Sequence, residues 1–334
     1  MSRPLVTALF GCGQIGTGYA ADPLMAQHYR YASHAQVLND HVAFDWRVAV
    51  DPRRESAQAC AAAYGVAAAT DVSGIAARES IEVAVLATPP GTRLALLDAL
   101  PGLKAVIVEK PLGADIGEAE TFAAACKARG LVCQVNLPRR ADASHRALAQ
   151  GGLAERIGRV QGAFLVYGNG LINNGTHMID LARMLLGEVK HASVPAGATS
   201  FVEGPISGDR NLPFTLTMCD GVTVMGQPLS FAAYRENGLD LWGEKGRLAI
   251  VQEGLRFCFF PRRANRSTTG ARELANDAPK AETTTMGEAL HAIYDDLADA
   301  LAQGRTPVSP LDSALATARV VATLMAAAPS EMAA

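Results

Sequence analysis

The sequence predicts an α/β protein in two parts: a doubly wound domain on a parallel sheet, then an α+β domain with a mostly antiparallel sheet. From Val6 to Val135, short apolar runs (VTALFG, WRVAVD, EVAVLATP, KAVIVEKP, LVCQV) alternate with Ala-rich stretches charged on one side. That is the rhythm of repeated βαβ units whose strands are buried on both faces. After Pro138 the rhythm stops, and stretches such as PFTLTMCDGVTVMGQ take up the period of two of antiparallel hairpins, with Asp220-Gly221 as a turn. A chain of 334 residues, 49% hydrophobic and 19% charged, has apolar material for two cores at about 100–200 residues each. The expected domains are 1–135 and 136–334.

The first strand runs into GCGQIGTG, where Gly11, Gly13 and Gly16 form a G-x-G-x-x-G pattern at the expected start of a helix. Glycines there permit a tight turn and let a pyrophosphate approach backbone N–H groups at a helix N-terminus, with Gln14 and Ile15 completing the loop. Glycines that merely close a strand-helix turn are the plainer alternative. The second strand ends in Asp51, a carboxylate suited to accept hydrogen bonds from ribose hydroxyls and to repel a 2′-phosphate, so NAD is the expected cofactor. The interval from Gly16 to Asp51 exceeds the usual ~20 residues, and Arg53 and Arg54 are able to hold a phosphate, so NADP stays possible.

The next strands end in Thr88-Pro89-Pro90 and in Glu109-Lys110-Pro111. At the carboxyl edge of a doubly wound sheet, a lysine beside a proline-fixed turn can point into the cofactor crevice. The last strand leads to Asn136, Arg139 and Arg140, suited to substrate hydroxyls or a phosphate, or else a plain surface pair of arginines. In the second domain a helix is expected over Ala141–Ala149, a strand over Val160–Tyr167, and an apolar helix after LINNGTHMID, with Asn173 and His177 at its start and Asp180 as helix support. Residues 262–284 lack periodicity and read as a long loop. Helices over Met286–Ala302 and Leu311–Ala327 close the chain, separated by QGRTPVSP.

Taken together, the glycine loop, EKP at 109–111 and GTHMID at 175–180 resemble the Gfo/Idh/MocA family, named for glucose-fructose oxidoreductase and inositol dehydrogenase, over nearly the whole chain. The resemblance implies a Rossmann domain followed by a domain for substrate binding and oligomerisation, and NAD(P)-dependent oxidation or reduction of a secondary alcohol or ketone in sugars, polyols and related compounds. By it, Lys110 matches the lysine that polarises the reacting oxygen and His177 the histidine that exchanges its proton. Thr88 and Pro89 match a loop flanking the cofactor, with Glu109 beside it. Family members frequently carry aspartate four residues before the histidine, where this chain has Asn173. An amide can bind a substrate hydroxyl but cannot take a proton at neutral pH, so the proton work would rest on Lys110 and His177. A further departure is an insertion of roughly a dozen residues between Gly16 and His34.

The formal charge of -3 argues against nucleic acid as a partner despite Arg262, Arg263 and Arg266. A small sugar or polyol is the expected partner, with a homodimer or homotetramer formed through the C-terminal sheet as the resemblance implies. No metal site, signal peptide or membrane span is expected, and the six cysteines, without a CxxC pair, read as reduced in a cytoplasmic protein. Two other readings stay open: a glycosidase using tightly held NAD for transient oxidation, and a non-catalytic NAD-binding sensor.

Overall fold

Six strands, β1 (Leu5–Phe10), β2 (Phe44–Val50), β3 (Ala67–Ala69), β4 (Val83–Leu86), β5 (Ala105–Val108) and β6 (Val132–Val135), pair in parallel in the order β3-β2-β1-β4-β5-β6. The computed structural model describes residues 3–328. Every residue of β4 and β5 is buried, because consecutive side chains enter different cores. Phe10, Leu86 and Val108 join one core with Leu97, Phe122 and Leu311, while Leu9, Val85 and Ile107 join another with Trp46, Ile293 and Leu297. The strand order reverses at β1, flanked by β2 and β4, which creates a crevice at the carboxyl ends of the strands.

The helix expected directly after the glycine loop is not there. The chain instead makes short turns at Gly18–Ala21 and Met25–Gln27, and the first α-helix is His34–Asp40. Two bonds explain the excursion: His34 N–H donates to Ile15 O and Ala35 N–H to Gly16 O, both at 2.9 Å. The helix thus resumes on the loop as though residues 17–32 were spliced out. Ser33 and Gln36 form a capping box that gives it a fresh start.

Contacts divide the chain into two compact units, Met1–Asp142 with Gly287–Leu315, and Ala143–Met286 with Ala316–Ala334. A single cut after residue 135 does not describe this, because the helix Ala289–Gln303 buries Leu290, Ile293, Tyr294 and Leu297 in a core of the parallel sheet. Asp296 on that helix accepts from Gln134 Nε2 at 3.1 Å and from Val308 N–H at 2.7 Å.

The second unit holds β7 (Val160–Tyr167), β8 (Val189–Ser193), β9 (Phe214–Met218), β10 (Thr223–Pro228), β11 (Gly238–Gly243), β12 (Gly246–Val251), β13 (Arg256–Ala264), β14 (Arg272–Leu274) and β15 (Lys280–Thr283). Their order is β14-β13-β12-β11-β7-β10-β9-β8, with β15 also on β13. Among the described residues the pairs are antiparallel except β7 with β10. The hairpin turn falls at Asp220-Gly221, where Gly221 has φ +90°. One face buries Leu165, Tyr167, Phe214, Leu216 and Leu241 with Ile179 and Leu181 of the helix Thr176–Leu186.

Two expectations need correction here. Residues 262–284 are not one long loop: they contain the end of β13 together with β14 and β15. These strands are short, and β15 is exposed at every position, so no alternation marks them. Arg263 pairs with Glu273 at 2.8 Å and Asp277 at 2.7 Å, and Arg266 also faces Glu273, which accounts for two of the clustered arginines. The helix expected over 141–149 is shorter, Ala143–Ala147, and passes through a wide turn at 148–152 into Leu153–Ile157. The described cysteines are free thiols, and no described helix is long and apolar enough to cross a membrane.

Candidate functional site

Five of the six parallel strands deliver a predicted site residue at or just beyond their carboxyl ends: the glycine loop after β1, Asp51 after β2, Thr88 after β4, Glu109 and Lys110 after β5, and Asn136 after β6. The three loop glycines differ in why they are glycine. Gly11 has φ +96°, and a Cβ there would lie 2.3 Å from Ala87 O; a Cβ on Gly16 would lie 2.1 Å from Gly11 O. A Cβ on Gly13 would meet nothing within 4 Å. The fold therefore requires Gly11 and Gly16, whereas Gly13 faces open space, the cradle a pyrophosphate needs. Among the described residues the carbonyls of 13–16 carry the loop's backbone hydrogen bonds, to the N–H groups of Thr17, Gly18, Tyr19, His34 and Ala35. The residues present fit a bound dinucleotide.

Asp51 is buried and serves the loop itself. Its Oδ2 accepts from Cys12 N–H at 2.8 Å and its Oδ1 from Arg53 N–H at 2.9 Å, with the mostly exposed Arg53 guanidinium closing over it at 3.2 Å. Burial alone would raise its pKa, but the bonds from Arg53 and Cys12 hold it below the usual carboxylate range. A ribose hydroxyl would compete with the long Arg53 side-chain bonds rather than with the Cys12 amide.

Glu109 is the centre of a buried chain. Its Oε1 takes Asn136 Nδ2 at 2.5 Å and His34 Nε2 at 3.0 Å, and His34 Nδ1 pairs with Tyr294 Oη at 2.7 Å. Burial would raise the Glu109 pKa; the bond and charge of His34, Asn136 and the Lys110 ammonium together lower it. With Glu109 ionised, His34 Nε2–H is the donor in that contact. Glu109 is thus an anchor beneath Lys110, which is half-buried and joined to Pro111 by a cis peptide bond. Two polar atoms beyond the ends of β4 and β6, on either side of β5, Thr88 Oγ1 and Asn136 Oδ1, are buried without a hydrogen-bond partner among the described residues, as groups reserved for a ligand are. Arg139 is buried and Arg140 half-buried in the turn Pro138–Arg140.

Sequence reasoning missed Arg93. It is 1% exposed, and its guanidinium donates to Thr88 O at 2.8 Å and Pro111 O at 2.6 Å, stitching the TPP loop to the EKP loop. Burial pushes its pKa down to about 10 against the opposing charges of Glu109 and Glu118. In GTRLALL it reads as an ordinary surface helix residue, and nothing local signals burial.

In the second unit, Asn173 and His177 sit on a continuous helical segment that opens with the wide turn Leu171–Gly175 and continues as Thr176–Leu186. Asp209, also missed, caps it from a distant irregular segment: its carboxylate accepts from Ile172 N–H at 2.9 Å and Asn173 N–H at 3.0 Å, first-turn donors with no intrahelical acceptor. A Cβ on Gly170 would lie 2.0 Å from Asp209 Oδ2, so the capping carboxylate requires that glycine. Burial raises the Asp209 pKa in spite of these bonds. Asn173 Nδ2 donates to Asn169 O at 3.1 Å, which an aspartate could not do. Beside a buried carboxylate, an amide at 173 avoids a second negative charge. His177 is half-buried on the first turn, whereas Asp180 is buried, accepts from Thr317 Oγ1 at 2.9 Å and faces Arg183 at 3.5 Å, a structural role.

A six-stranded 3-2-1-4-5-6 sheet with this glycine loop defines a dinucleotide-binding Rossmann fold. Residues 7–137 match the family model GFO_IDH_MocA, described as an oxidoreductase family with an NAD-binding Rossmann fold, and the chain is an NAD-binding oxidoreductase similar to that family over this stretch. Solved structures share the two-part fold across almost the whole chain. An oxidoreductase from Agrobacterium radiobacter in complex with NAD+, L-tartaric acid and magnesium aligns at TM-score 0.73 and 16% identity, covering 97% of this chain and 96% of that one. UDP-N-acetylglucosamine 3-dehydrogenase GnnA from Acidithiobacillus ferrooxidans aligns at 0.73 and 15%, covering 97% of each. A mutant of KijD10, a 3-ketoreductase from Actinomadura kijaniata, in complex with TDP-benzene and NADP, aligns at 0.74 and 18%, covering 98% of each. No curated protein sequence matches the chain.

Proposed function

We propose that the chain transfers a hydride reversibly between NAD(H) and a secondary alcohol or ketone of a sugar, sugar derivative or cyclitol. The observation that carries this reading is the anchoring of Glu109 by His34 and Asn136, which fixes the backbone of Lys110 at the same carboxyl edge of the sheet that carries the open glycine cradle. The matched family model is described as NAD-binding, and structures of similar fold are named as a UDP-N-acetylglucosamine 3-dehydrogenase and a 3-ketoreductase.

The glycine loop, Asp51 and Thr88 would hold the cofactor, NAD by the carboxylate at 51, with NADP accommodated if Arg53 and Arg54 turn to a 2′-phosphate. Bound nicotinamide supplies the hydride acceptor or donor. The Lys110 ammonium lowers the energy of the substrate alkoxide, and the His177 imidazole takes the hydroxyl proton in oxidation or returns it in reduction. Asn173, Asn136, Arg139 and Arg140 bind the remaining substrate oxygens. Glu109, committed to His34 and Asn136, holds position rather than shuttling protons. The reading also takes the exposed face of the second sheet, where Met225 is 53% exposed, as the contact between copies in a dimer or tetramer.

The test is absorbance of the nicotinamide, with product analysis, on mixing the protein and NAD(H) with a panel of sugars, keto-sugars, inositols and glycosides. Hydride transfer gives an absorbance change in proportion to product. Cleavage of a glycoside with no net change would replace this reading with the glycosidase, and binding of NAD without turnover on any substrate would replace it with the sensor.

A further inference from the structure

His34 is tied to two parts of the carboxyl edge at once. Its backbone N–H donates to Ile15 O of the glycine loop at 2.9 Å, and its ring Nε2–H donates at 3.0 Å to Glu109, the residue before Lys110. The sheet does not join those two strand ends directly, because β4 lies between β1 and β5. A further contact holds the ring itself, with His34 Nδ1 and Tyr294 Oη 2.7 Å apart. We propose that His34, held by Tyr294, is a positioning residue that keeps Lys110 at a fixed place relative to the glycine loop. The purpose of that placement rests on the hydride-transfer reading; the link itself does not.

Three features support the link. His34 and Tyr294 are 0% exposed and Glu109 is 8% exposed, so bulk water cannot replace a partner that is lost. The imidazole is used at both nitrogens, and turning the ring over would break both contacts. Its backbone is fixed as well, by the capping box of Ser33 and Gln36 at the start of the helix His34–Asp40. Tyr294 is braced in turn. Its ring meets Phe44 edge-on at 5.3 Å, and burial together with the Glu109 charge raises its hydroxyl well above the usual pKa, so it stays protonated.

A core that served packing alone would hold apolar side chains here at lower cost than a buried carboxylate, imidazole and phenol. The polar chain supplies a set direction and length instead. A misplacement of about 1 Å between reacting groups costs around 100-fold in rate. Replacing the His34 side chain leaves its backbone bond to Ile15 O in place, so hydride transfer should suffer while the dinucleotide still binds.

The experiment compares full-length wild type with Tyr294→Phe and His34→Leu, using circular dichroism to establish folding. Steady-state kinetics should show kcat lowered roughly 10–100-fold in both folded variants, with NAD(H) affinity by calorimetry unchanged. A proton resonance supplies a readout that needs no turnover: the His34 Nε2–H, buried against a carboxylate, should give a low-field, slowly exchanging signal that disappears in His34→Leu and moves in Tyr294→Phe. Should His34→Leu fail to fold, Tyr294→Phe, which deletes a single oxygen, decides alone. Wild-type kcat in either folded variant, or NAD(H) affinity falling as far as kcat, would overturn the positioning role. If the wild type turns over no substrate, the hydride-transfer reading fails by itself, and the resonance decides the link: its absence from the wild type, or an unmoved signal in Tyr294→Phe, would overturn it.

Discussion

Replacing Gly13 by alanine separates a ligand cradle from a simple turn. Gly13 does not have a positive φ, and the added methyl would meet nothing within 4 Å, so the folded chain accepts it. Alanine also has less conformational freedom to lose than glycine, which stabilises by about 0.4–1 kcal/mol at compatible positions. At roughly 2–4 °C per kcal/mol for a unit of this size, Tm should rise by about 1–4 °C. The same methyl fills the space a pyrophosphate would occupy; losing one charge-assisted hydrogen bond, about 1.5–3 kcal/mol, weakens NAD(H) binding by roughly 10–150-fold. Gly11→Ala and Gly16→Ala should behave oppositely. Their methyls would lie 2.3 and 2.1 Å from backbone oxygens, so both should lower Tm by several degrees. Thermal denaturation with and without NAD(H), plus calorimetric titration, reads both effects. Should Gly13→Ala bind NAD(H) as the wild type does, the open space is not the dinucleotide's seat; should it unfold like the other two, the glycines only close a turn.

Lys110→Ala should lower turnover by about a hundredfold or more while NAD still binds, the usual scale for electrostatic and acid-base groups; steady-state kinetics with calorimetry on the same variant checks it. Asn173→Asp should destabilise the second unit by about 1–3 kcal/mol at neutral pH, through loss of the bond to Asn169 O and repulsion from Asp209, and the penalty should shrink on acidification. Urea unfolding at two pH values measures this, and an unchanged midpoint would contradict it. Glu82 gives a pH signature. Burial would raise its pKa, but Arg3, Lys104 and Val6 N–H hold it down at about 2, below an unfolded value of 4.5. The folded state therefore binds fewer protons between those values, and this stabilisation, present above pH 4.5, is lost as pH falls toward 2. In Glu82→Gln that part of the stability-pH curve should be flatter.

How much was legible follows from which signals are local. Strands buried on both faces announce themselves as apolar runs, so β1, β2, β4, β5 and β6 stood out, and the glycine loop and EKP marked the strand ends. Arg93 and Asp209 did not, because each acts on backbone atoms from elsewhere: one bonds the carbonyls of Thr88 and Pro111, the other the amides of Ile172 and Asn173. Neither bond has a spacing to read. The excursion at 17–32 hid the helix start because His34 and Ala35 rejoin the loop by hydrogen bonds rather than by sequence neighbourhood. The return of Ala289–Gln303 to the first unit is a matter of which core its apolar face meets, which periodicity does not specify. In β15 exposure on both faces left no pattern.

The central claim is that the Lys110 ammonium and the His177 imidazole serve one substrate at one nicotinamide. A crystal structure of the protein with NAD(H) and a bound sugar or polyol tests it most directly. The account predicts a substrate carbon about 3–3.5 Å from nicotinamide C4, with its oxygen in hydrogen-bond reach of both Lys110 Nζ and a ring nitrogen of His177. A complex in which the two groups point into separate regions, or in which the dinucleotide lies away from the glycine loop, would contradict it.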